Sequence, residues 1–342
     1  MSSLPARVLS GLRPTSRLHI GNYKGAIENW VKLQESGKYQ CFYTLVDWHA
    51  LTTHYADPHE IRQNILALTA EWIACGIDPA KAVIFVQSAV KTHAELHLLF
   101  SMITPVPWLE RVPTYKEVMQ ALSDRDLRTY GFLGYPVLQT ADIAIYRAQT
   151  VPVGEDQVAH LELSREIIRR FNGLYGETFP EPQPLLTPVP RIPGMDGRKM
   201  SKSLGNAIWL HDTPADIEKK ILPMVTDPAR KTRKDPGTPE ICPVFDLHQA
   251  FSEAGTQAEV AEGCRTAGIG CIDCKKKLLG HLIPQIAPLS EKIHASMQKP
   301  AELDDILATG AKAANAAAEE TMALVREKIF SEKPMRGALT PV

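Results

Sequence analysis

The sequence has no long apolar run and almost no net charge. Lysine and arginine total 38 against 39 for aspartate and glutamate, so the formal net charge is −1. No apolar stretch approaches the roughly 20 residues that a membrane-spanning helix needs, and the first residues lack the basic and apolar regions of a secretory leader. These absences exclude a membrane protein and predict a cytoplasmic one. With no overall positive charge, any polyanion must be bound by a local basic surface.

Cysteine is also scarce, with six in 342 residues. In a reducing compartment cysteines are seldom paired as disulfides, so a local cluster favours a metal site or a catalytic role. The rest of the composition, 44% hydrophobic and 23% charged, is that of a globular chain. Its length suits one large domain or two ordinary ones.

In the first half, β-branched and aromatic runs alternate with helical patterns. Strands are predicted at 7–9, 41–46, 82–86 and 151–153, and helices at 57–76, 138–148 and 156–171. The helix at 57–76 is expected to start from an Asp57 cap, with proline and glutamate in its first turn. This alternation predicts an α/β fold with a doubly wound, Rossmann-like parallel sheet, whose ligands bind beyond the carboxyl ends of the strands.

A change in composition divides the chain. Six prolines between 179 and 194 forbid a continuous helix, which predicts a domain boundary and hinge. Thr213 then caps a new helix, and the alanine-, leucine- and lysine-rich composition from 278 onward is typical of packed helices. Within it, 311–318 is alanine-rich enough for either tight packing or a strong helix. The predicted division is a catalytic domain with a helical insertion over 1–193, a mobile loop over 194–206 (the lysine loop) and a mainly α-helical domain over 207–342.

The first predicted strand leads through a turn into His19-Ile20-Gly21-Asn22 at the head of a helix. Free N–H groups and the positive end of the helix dipole attract anions at such a place. Gly21 would let a nucleotide approach the backbone, and His19 and Asn22 could donate to phosphate oxygens. The alternative is an ordinary capped helix whose glycine merely packs, and this string alone does not choose between the two.

A second motif, Lys199-Met200-Ser201-Lys202-Ser203, lies in the lysine loop between Gly194 and Gly205. Its lysines can neutralise charge that develops on a leaving pyrophosphate. Alone it would be interpreted as a solvated loop. The two motifs together are the signature of class I aminoacyl-tRNA synthetases.

Four further segments extend this resemblance, at 135–138, 141–143, 151–157 and 160–163. With them the chain resembles the bacterial tryptophanyl-tRNA synthetases along nearly its whole length, whereas tyrosyl relatives share the fold and both signatures but not the run at 151–163. The resemblance implies activation of tryptophan with ATP and Mg²⁺ to tryptophanyl adenylate and pyrophosphate. Tryptophan would then pass to the 2′-hydroxyl of the terminal adenosine of tRNA(Trp). The family is homodimeric, and one tRNA bridges both subunits.

The resemblance also assigns residues. Those implied for ATP are Arg13, Pro14, Thr15, Gly21, Asn22, Gly154, Glu155, Asp156, Ile192, Lys199, Met200, Ser201, Lys202 and Ser203. The implied catalytic groups are Lys199, Lys202, His19 and Asn22. Those implied for tryptophan are Leu9, His49, Tyr135, Gln139, Asp142, Val151, Val153 and Gln157. Arg13 stands where glutamine is commoner in the family and Leu9 where phenylalanine often stacks, departures that concern affinity rather than the reaction.

Asp142 can also be interpreted without the family. It lies in an apolar helical stretch, and a buried carboxylate is costly unless it is hydrogen-bonded. The indole N–H of tryptophan would satisfy it, whereas phenylalanine would not, and such sites discriminate by roughly four to five powers of ten. Gln139, on the same helix face, stands where many relatives have an apolar residue. The alternative is an aspartate on a helix surface or in a salt bridge.

Four cysteines lie in the second part of the chain, separated by 21, six and two residues: Cys242, Cys264, Cys271 and Cys274. Four thiolates can hold zinc or an iron–sulfur cluster, and the spacing does not choose between them. A subgroup of the family carries a four-iron, four-sulfur (4Fe-4S) cluster at nearly this spacing, so the resemblance favours the cluster over Zn²⁺ or an empty site. Cys41 and Cys75 are expected to be small buried apolar residues.

Basic runs flank these cysteines, at 275–277 and 230–234. A lone run is usually solvated surface, but beside a cysteine site in a helical domain the two predict an anticodon-side tRNA surface.

Two other functions remain open. A paralogue could keep the fold as a tRNA-binding or iron–sulfur redox-sensing protein without charging activity, although the phosphate motifs show no damage. A nucleotidyltransferase of another kind would need neither the helical domain nor Asp142. A tyrosine-specific synthetase is a nearer alternative, which substrate profiling would separate.

Overall fold

Five strands pair side by side in one parallel sheet, which confirms the predicted α/β fold. The computed structural model describes residues 5–112, 127–154, 157–186, 192–202 and 204–330. The strands lie in the order β3-β2-β1-β4-β5. They are β1 (Ala6–Leu12), β2 (Tyr39–Leu45), β3 (Ala82–Val86), β4 (Thr150–Val153) and β5 (Gln183–Leu186).

The strand order reverses between β1 and β4. β1 pairs with β2 along its full length, from Ala6 opposite Tyr39 to Leu12 opposite Leu45. It pairs with β4 only through Val8 opposite Thr150, so the carboxyl-terminal parts of these two strands are not paired. Such a reversal is where open α/β sheets bind their ligands.

Helices cover the sheet and, joined by loops and turns, form most of the rest of the described chain. Those interspersed with the strands are α1 (Ile20–Asn22), α2 (Glu28–Glu35), α3 (Asp47–His54), α4 (Ile61–Ala74), α5 (Thr92–Ser101), α6 (Val106–Glu110), α7 (Tyr130–Ile145) and α8 (Val158–Tyr175). A π-helical turn, Tyr23–Ile27, joins α1 to α2, and a 3₁₀ turn, Gln87–Ala89, follows β3. The mainly helical second part is confirmed, with α9 (Pro214–Ile221), a 3₁₀ turn (Pro239–Ile241), α10 (Pro243–Phe251), α11 (Ala254–Arg265), α12 (Cys271–Met297) and α13 (Pro300–Phe330).

Three local predictions differ from the structure. The expected Asp57 cap is wrong, because α4 begins at Ile61 and Glu60 is its N-cap residue. Helix α7 begins eight residues before the predicted 138, where the Thr129 side chain accepts from the Phe132 N–H at 3.2 Å. The proline-rich segment contains β5, which tolerates Pro184 because β5 is an edge strand.

The predicted cap at Thr213 is confirmed, since its side chain accepts from the Asp216 N–H and Pro214 occupies the first turn of α9. Both ends of the capping box are present. This arrangement satisfies amide groups that would otherwise lack partners at the start of the helix.

Alternating strand residues divide the core into two clusters, one on each face of the sheet. Val8 and Ile84 lie in one cluster, which also contains Ile208 and Leu282 from the helical part. The second cluster contains the strand residues Leu9, Phe42 and Phe85 together with residues of α7 and α8. The helical part therefore shares its core with the sheet.

Helix α13 returns along the edge strand β3. A Cβ atom on Gly310 would lie 1.7 Å from the Ile84 carbonyl oxygen, so only glycine permits this approach. Ala314 and Ala318, one and two turns later, are fully buried in the second cluster. One face of the alanine-rich stretch is thus tightly packed, while residues 312, 313, 315 and 316 are exposed. In the described part of the chain, none of the helices is both long and apolar enough to cross a bilayer.

Candidate functional site

A cavity of about 540 Å³ opens where β1 and β4 separate. All eight residues assigned to tryptophan line it, and so do Arg13 and Gly154 from the set assigned to ATP. The residues at the two strand ends are Leu9, Ser10, Gly11, Leu12, Arg13, Val151, Pro152, Val153 and Gly154. The fold therefore gathers distant segments of the chain at the reversal of strand order.

Asp142 is buried beside this cavity, with 3% of its surface exposed. The Gln87 side-chain N–H₂ donates to both carboxylate oxygens at 2.8 Å. His93 Nδ1 lies 2.6 Å from Oδ1 and His49 Nε2 lies 3.0 Å from Oδ2. Because a carboxylate only accepts, both facing ring nitrogens carry protons. The helix-surface alternative is therefore wrong, and the partners of the buried carboxylate are Gln87 and the two histidines.

These donors keep the carboxylate ionised. Burial by itself raises the pKa of Asp142, but hydrogen bonds and charge from His49 and His93 outweigh burial and hold the pKa well below its usual range. His93 also contacts the Tyr146 hydroxyl, at 2.7 Å from Nε2. Burial, reinforced by the Asp142 charge, raises the pKa of Tyr146, so its hydroxyl keeps its proton.

Gln87 and His93 are the residues that sequence reasoning missed. They follow β3 in a 3₁₀ turn and at the start of α5, and neither stands in a recognisable motif. Their role depends on the packing of α5 against α7. A glutamine directly after a predicted strand, at the carboxyl end where such sheets bind ligands, was the available signal.

A second hydrogen-bonded chain lines another wall of the cavity. The Tyr135 hydroxyl lies 3.1 Å from His160 Nε2, and His160 Nδ1 lies 3.1 Å from the Gln157 side-chain oxygen. It joins α7 to the start of α8, so Tyr135 and Gln157 are held in place by His160. Phe132, which was not predicted, is also part of the cavity lining.

The head of α1 is a capped helix start with a closely packed glycine, and its role as an anion site stays a prediction. His19 Nδ1 accepts from the Asn22 backbone N–H at 3.2 Å, while the Asn22 side chain accepts from the His19 N–H. Burial, assisted by the Lys199 charge, lowers the pKa of His19 to about 4. The ring is therefore neutral at pH 7, with its proton on Nε2. Gly21 packs closely, since a Cβ there would lie 3.0 Å from the His19 ring.

The lysine loop folds towards this helix head. Lys202 Nζ lies 3.3 Å from the Thr15 carbonyl oxygen and 3.6 Å from Glu60. The Asn206 side chain closes the loop, accepting from the Ser201 N–H at 2.9 Å and donating to the Lys199 carbonyl at 3.2 Å. Both signatures are thus on one side of the sheet.

The other residues assigned to ATP differ in the groups that they can offer to a ligand. Arg13 donates to the Thr53 hydroxyl. Met200 and Ile192 are buried in the first core cluster, so Met200 has only its backbone to offer a ligand. Glu155, Asp156 and Ser203 lie outside the described residues.

The four cysteines surround the starts of α10 and α12, but they do not form a closed ligand set. Within the described ranges no three His, Cys, Asp or Glu side chains are arranged to hold a metal ion. Arg230 donates to the Cys264 sulfur at 3.7 Å, and His248 Nε2 lies 3.4 Å from the Cys274 sulfur. Burial, then repulsion from the other three thiols, raises the pKa of Cys274 to about 12. The structure does not support the predicted iron–sulfur or zinc site.

The basic runs differ in exposure. Lys276 and Lys277 are exposed, and Lys277 pairs with Glu259 at 3.0 Å. Lys275 is 5% exposed and donates to main-chain carbonyls, so the prediction that it contacts tRNA is wrong.

The chain is similar to known proteins along most of its length. The family described as "tRNA synthetases class I (W and Y)" matches residues 1–283. The tryptophan–tRNA ligase of Thermotoga maritima is 57% identical over 94% of this chain and 98% of its own, and that of Ralstonia nicotianae is 44% identical over the same shares. The structure of Campylobacter jejuni tryptophanyl-tRNA synthetase with ADP and tryptophan superposes with a TM-score of 0.85 at 35% identity, covering 94% of this chain and 99% of that one.

Proposed function

The chain belongs to the class I tRNA synthetases for tryptophan and tyrosine, and from this premise we propose that it is a tryptophan–tRNA ligase. It activates tryptophan with ATP and transfers it to the 2′-hydroxyl of the terminal adenosine of tRNA(Trp). The observation that carries the choice of tryptophan is the buried, ionised Asp142 beside the cavity at the reversal of strand order. The reaction is proposed for the cytoplasm, where tRNA is charged.

Asp142 is proposed to accept the indole N–H. Each carboxylate oxygen already has two donors, which fills its usual capacity. Of these partners only His49 lines the cavity together with Asp142. An entering indole would therefore take the place of His49, while Gln87 and His93 continue to hold the carboxylate. An amino acid whose side chain has no donor at that point leaves His49 in place and gains no hydrogen bond with Asp142.

Adenylate formation is proposed to depend on positioning and electrostatics. A carboxylate oxygen of tryptophan attacks the α-phosphorus of ATP, and the bond to the pyrophosphate oxygen breaks. ATP enters as its magnesium complex, and Lys199 and Lys202 balance charge on the leaving pyrophosphate. His19 donates from Nε2 to a phosphate oxygen, and Asn22 completes the helix head. No protein nucleophile is required.

Amino-acid-dependent exchange between ATP and pyrophosphate tests this function. We expect exchange with tryptophan and none with phenylalanine or tyrosine. Exchange with tyrosine alone would assign the chain to the tyrosine branch of its family. No exchange with any amino acid, from protein that still binds tRNA, would favour a paralogue without charging activity.

A homodimer is proposed from exposed apolar side chains. Leu98, Met102, Val106 and Tyr130 are each more than half exposed, and they lie on or beside α5, α6 and α7, where α7 packs against the other two. Apolar patches of this kind often mark subunit interfaces. Sedimentation should give a dimer that Met102→Glu converts to monomer, whereas Ile241→Glu, at an exposed apolar site in the helical part, should not.

The four cysteines are proposed to bind an iron–sulfur cluster, although as arranged they do not form a ligand set. The support is the donor type and the proximity of Cys242, Cys264 and Cys271 to Cys274, whose charges add to burial in raising the pKa of Cys274. No catalytic step involves this group. Protein purified without oxygen should contain iron and sulfide with a broad visible absorbance. Zinc alone, or neither metal, would contradict the proposal.

The tRNA surface is proposed to combine the exposed parts of the two basic runs. Arg233 lies 3.6 Å from Asp273 in the first turn of α12, so the runs adjoin. Phosphate contacts of this kind weaken with salt and carry no sequence information. Lys276→Ala with Lys231→Ala should raise the KM for tRNA and reduce its salt dependence, while exchange without tRNA stays unchanged.

A further inference from the structure

Lys275 is a buried lysine to which the proposed catalysis assigns no role. Its ammonium group donates to the Leu222 carbonyl at 2.7 Å and to the Met224 carbonyl at 2.6 Å. A buried ammonium requires such acceptors, since burying it unpaired is unfavourable. These two bonds tie the amino-terminal part of α12 to the chain segment that follows α9.

That segment supports the lysine loop. Val225, the next residue, donates its N–H to the Met195 carbonyl at 3.1 Å, and the Met195 N–H donates to the Asn206 carbonyl at 2.9 Å. Met195 and Asn206 stand near opposite ends of the loop. A displacement of Met224 would therefore reach both ends of the loop through two consecutive hydrogen bonds.

Packing gives a second, independent contact between the same parts. A Cβ atom built on Gly197, at the tip of the turn in the loop, would lie 3.4 Å from a Val225 methyl group and 3.0 Å from the Pro243 ring. Pro243 opens α10, which packs against α12. The turn at Gly197 therefore packs against Val225, in the segment that Lys275 holds. It also packs against Pro243 of α10, a helix that contacts α12.

We propose that Lys275 is a positioning residue for adenylate formation. By holding the Leu222 and Met224 carbonyls it fixes the base of the lysine loop, and with it the placement of Lys199 and Lys202 over ATP. This inference rests on the proposed function, because the two lysines act on ATP only in that scheme. Lys275 itself touches no substrate.

Substitution by methionine tests the inference, because it keeps the side-chain length and removes all donors. In exchange assays without tRNA, Lys275→Met should raise the KM for ATP or lower kcat on the order of 10- to 100-fold, and leave the KM for tryptophan unchanged. Lys275→Arg should restore most of the activity, since a guanidinium can donate to both carbonyls. Lys292→Met, at an exposed lysine of the same helix, is the matched control and should behave as wild type.

A second variant removes a contact to the loop without changing Lys275. The inference can therefore still be tested if Lys275→Met does not fold. Val225→Pro removes the donor to Met195 at a residue that is 45% exposed, and it keeps the Lys275 side chain and both of its acceptor carbonyls in the chain. It should reproduce the ATP defect. In both variants the amides of 194–206 should exchange hydrogen faster, while those of β1 and β2 do not change.

The outcomes distinguish failure of the proposed function from failure of the role proposed for Lys275. Absence of exchange in the wild type would refute the proposed function. Normal wild-type exchange with unchanged ATP kinetics in Lys275→Met would overturn the inference alone. Equal damage to the KM values of ATP and tryptophan would also overturn it, because it would indicate a general structural role. If Lys275→Met does not fold, unchanged ATP kinetics in Val225→Pro would overturn it.

Discussion

At the scale of single residues, the side chains around Asp142 explain how one carboxylate could select an amino acid. Gln87 and His93 hold it from the core side and His49 from the cavity side. The burial that would otherwise protonate it is offset by these donors, so it remains a charged acceptor. A charged acceptor in a water-poor site favours a ligand with an N–H directed at it.

Asp142→Asn should therefore impair tryptophan activation. The asparagine side chain keeps the size of aspartate but carries no charge. It also places its own N–H₂ group next to the donors that hold Asp142. We expect kcat/KM for tryptophan in the exchange reaction to fall on the order of 10- to 100-fold, the equivalent of a lost hydrogen bond to a charged group, with the KM for ATP unchanged. Asp304→Asn makes the same substitution at a surface ion pair with Arg62 and should have no effect. Equal tryptophan kinetics in both variants would show that the carboxylate does not contact the substrate.

At the scale of elements, the lysine loop lies against the head of α1, so the two signature motifs are neighbours. Its Lys202 reaches the Thr15 carbonyl, and its Lys199 is close enough to His19 to lower the pKa of that ring. Cations held at the head of α1 are suited to a polyphosphate.

Lys202→Ala should reduce adenylate formation on the order of 100- to 1000-fold, as loss of a group that stabilises transition-state charge does. Tryptophan affinity, measured by fluorescence titration or calorimetry, should change little, because none of the described residues of the loop lines the cavity. Lys219→Ala removes an exposed positive charge from α9 and serves as the control. An unchanged exchange rate in Lys202→Ala would remove the role assigned to this lysine.

Two helix glycines provide a paired test of packing. Gly310→Ala would force a methyl group into the Ile84 carbonyl, so we expect a loss of about 1–3 kcal/mol in the free energy of unfolding. A Cβ on Gly280 meets nothing within 4 Å, so Gly280→Ala in α12 should add about 0.5–1 kcal/mol. Urea unfolding of both variants checks the opposite signs. A stable Gly310→Ala protein would show that α13 does not lie so close to β3.

Much of the element pattern could be predicted because it depends on local signals. β-branched runs marked four of the five strands, and the Thr213 box marked the start of α9. β5 was missed because its prolines argue against a strand unless its edge position is known. The roles of Gln87 and His93 depend on how α5 and α7 pack, which no local motif encodes. The cavity residues were predicted from family resemblance, and only Asp142 could also be argued from its own surroundings.

At the scale of the whole molecule, the two parts of the chain are not independent. The first core cluster contains Val8 and Ile84 from the sheet, and Ile208 and Leu282 from beyond the lysine loop. α13 then crosses back to the second cluster. The predicted boundary at residue 193 stays a prediction, but the shared core favours cooperative unfolding of both parts.

Two partly buried histidines, His19 and His97, should make this stability depend on pH. Burial lowers the pKa of His19 to about 4 and also lowers that of His97, where it outweighs the nearby Asp142 charge. Unfolded histidines titrate near 6.5, so between pH 6.5 and about 4 the unfolded chain binds more protons than the folded one. Stability is therefore fully present above pH 6.5 and is lost as the pH falls through this window. The depressed pKa of Asp142 acts only at still lower pH, because its ordinary value is 3.8.

Urea unfolding at intervals from pH 7.5 to 4.5 should show this decline, and His97→Phe should reduce its slope. His97 Nδ1 is buried with no hydrogen-bond partner among the described residues, so phenylalanine fills similar space without a proton to bind or a polar atom to satisfy. His59→Gln, at a side chain that is 90% exposed, is the control and should retain the wild-type slope. If His97→Phe also retained that slope, proton binding by His97 would not contribute to the loss of stability. The decline would then have to come from His19 and the other titrating groups, because linkage requires that the slope equal the difference in bound protons between the unfolded and folded states.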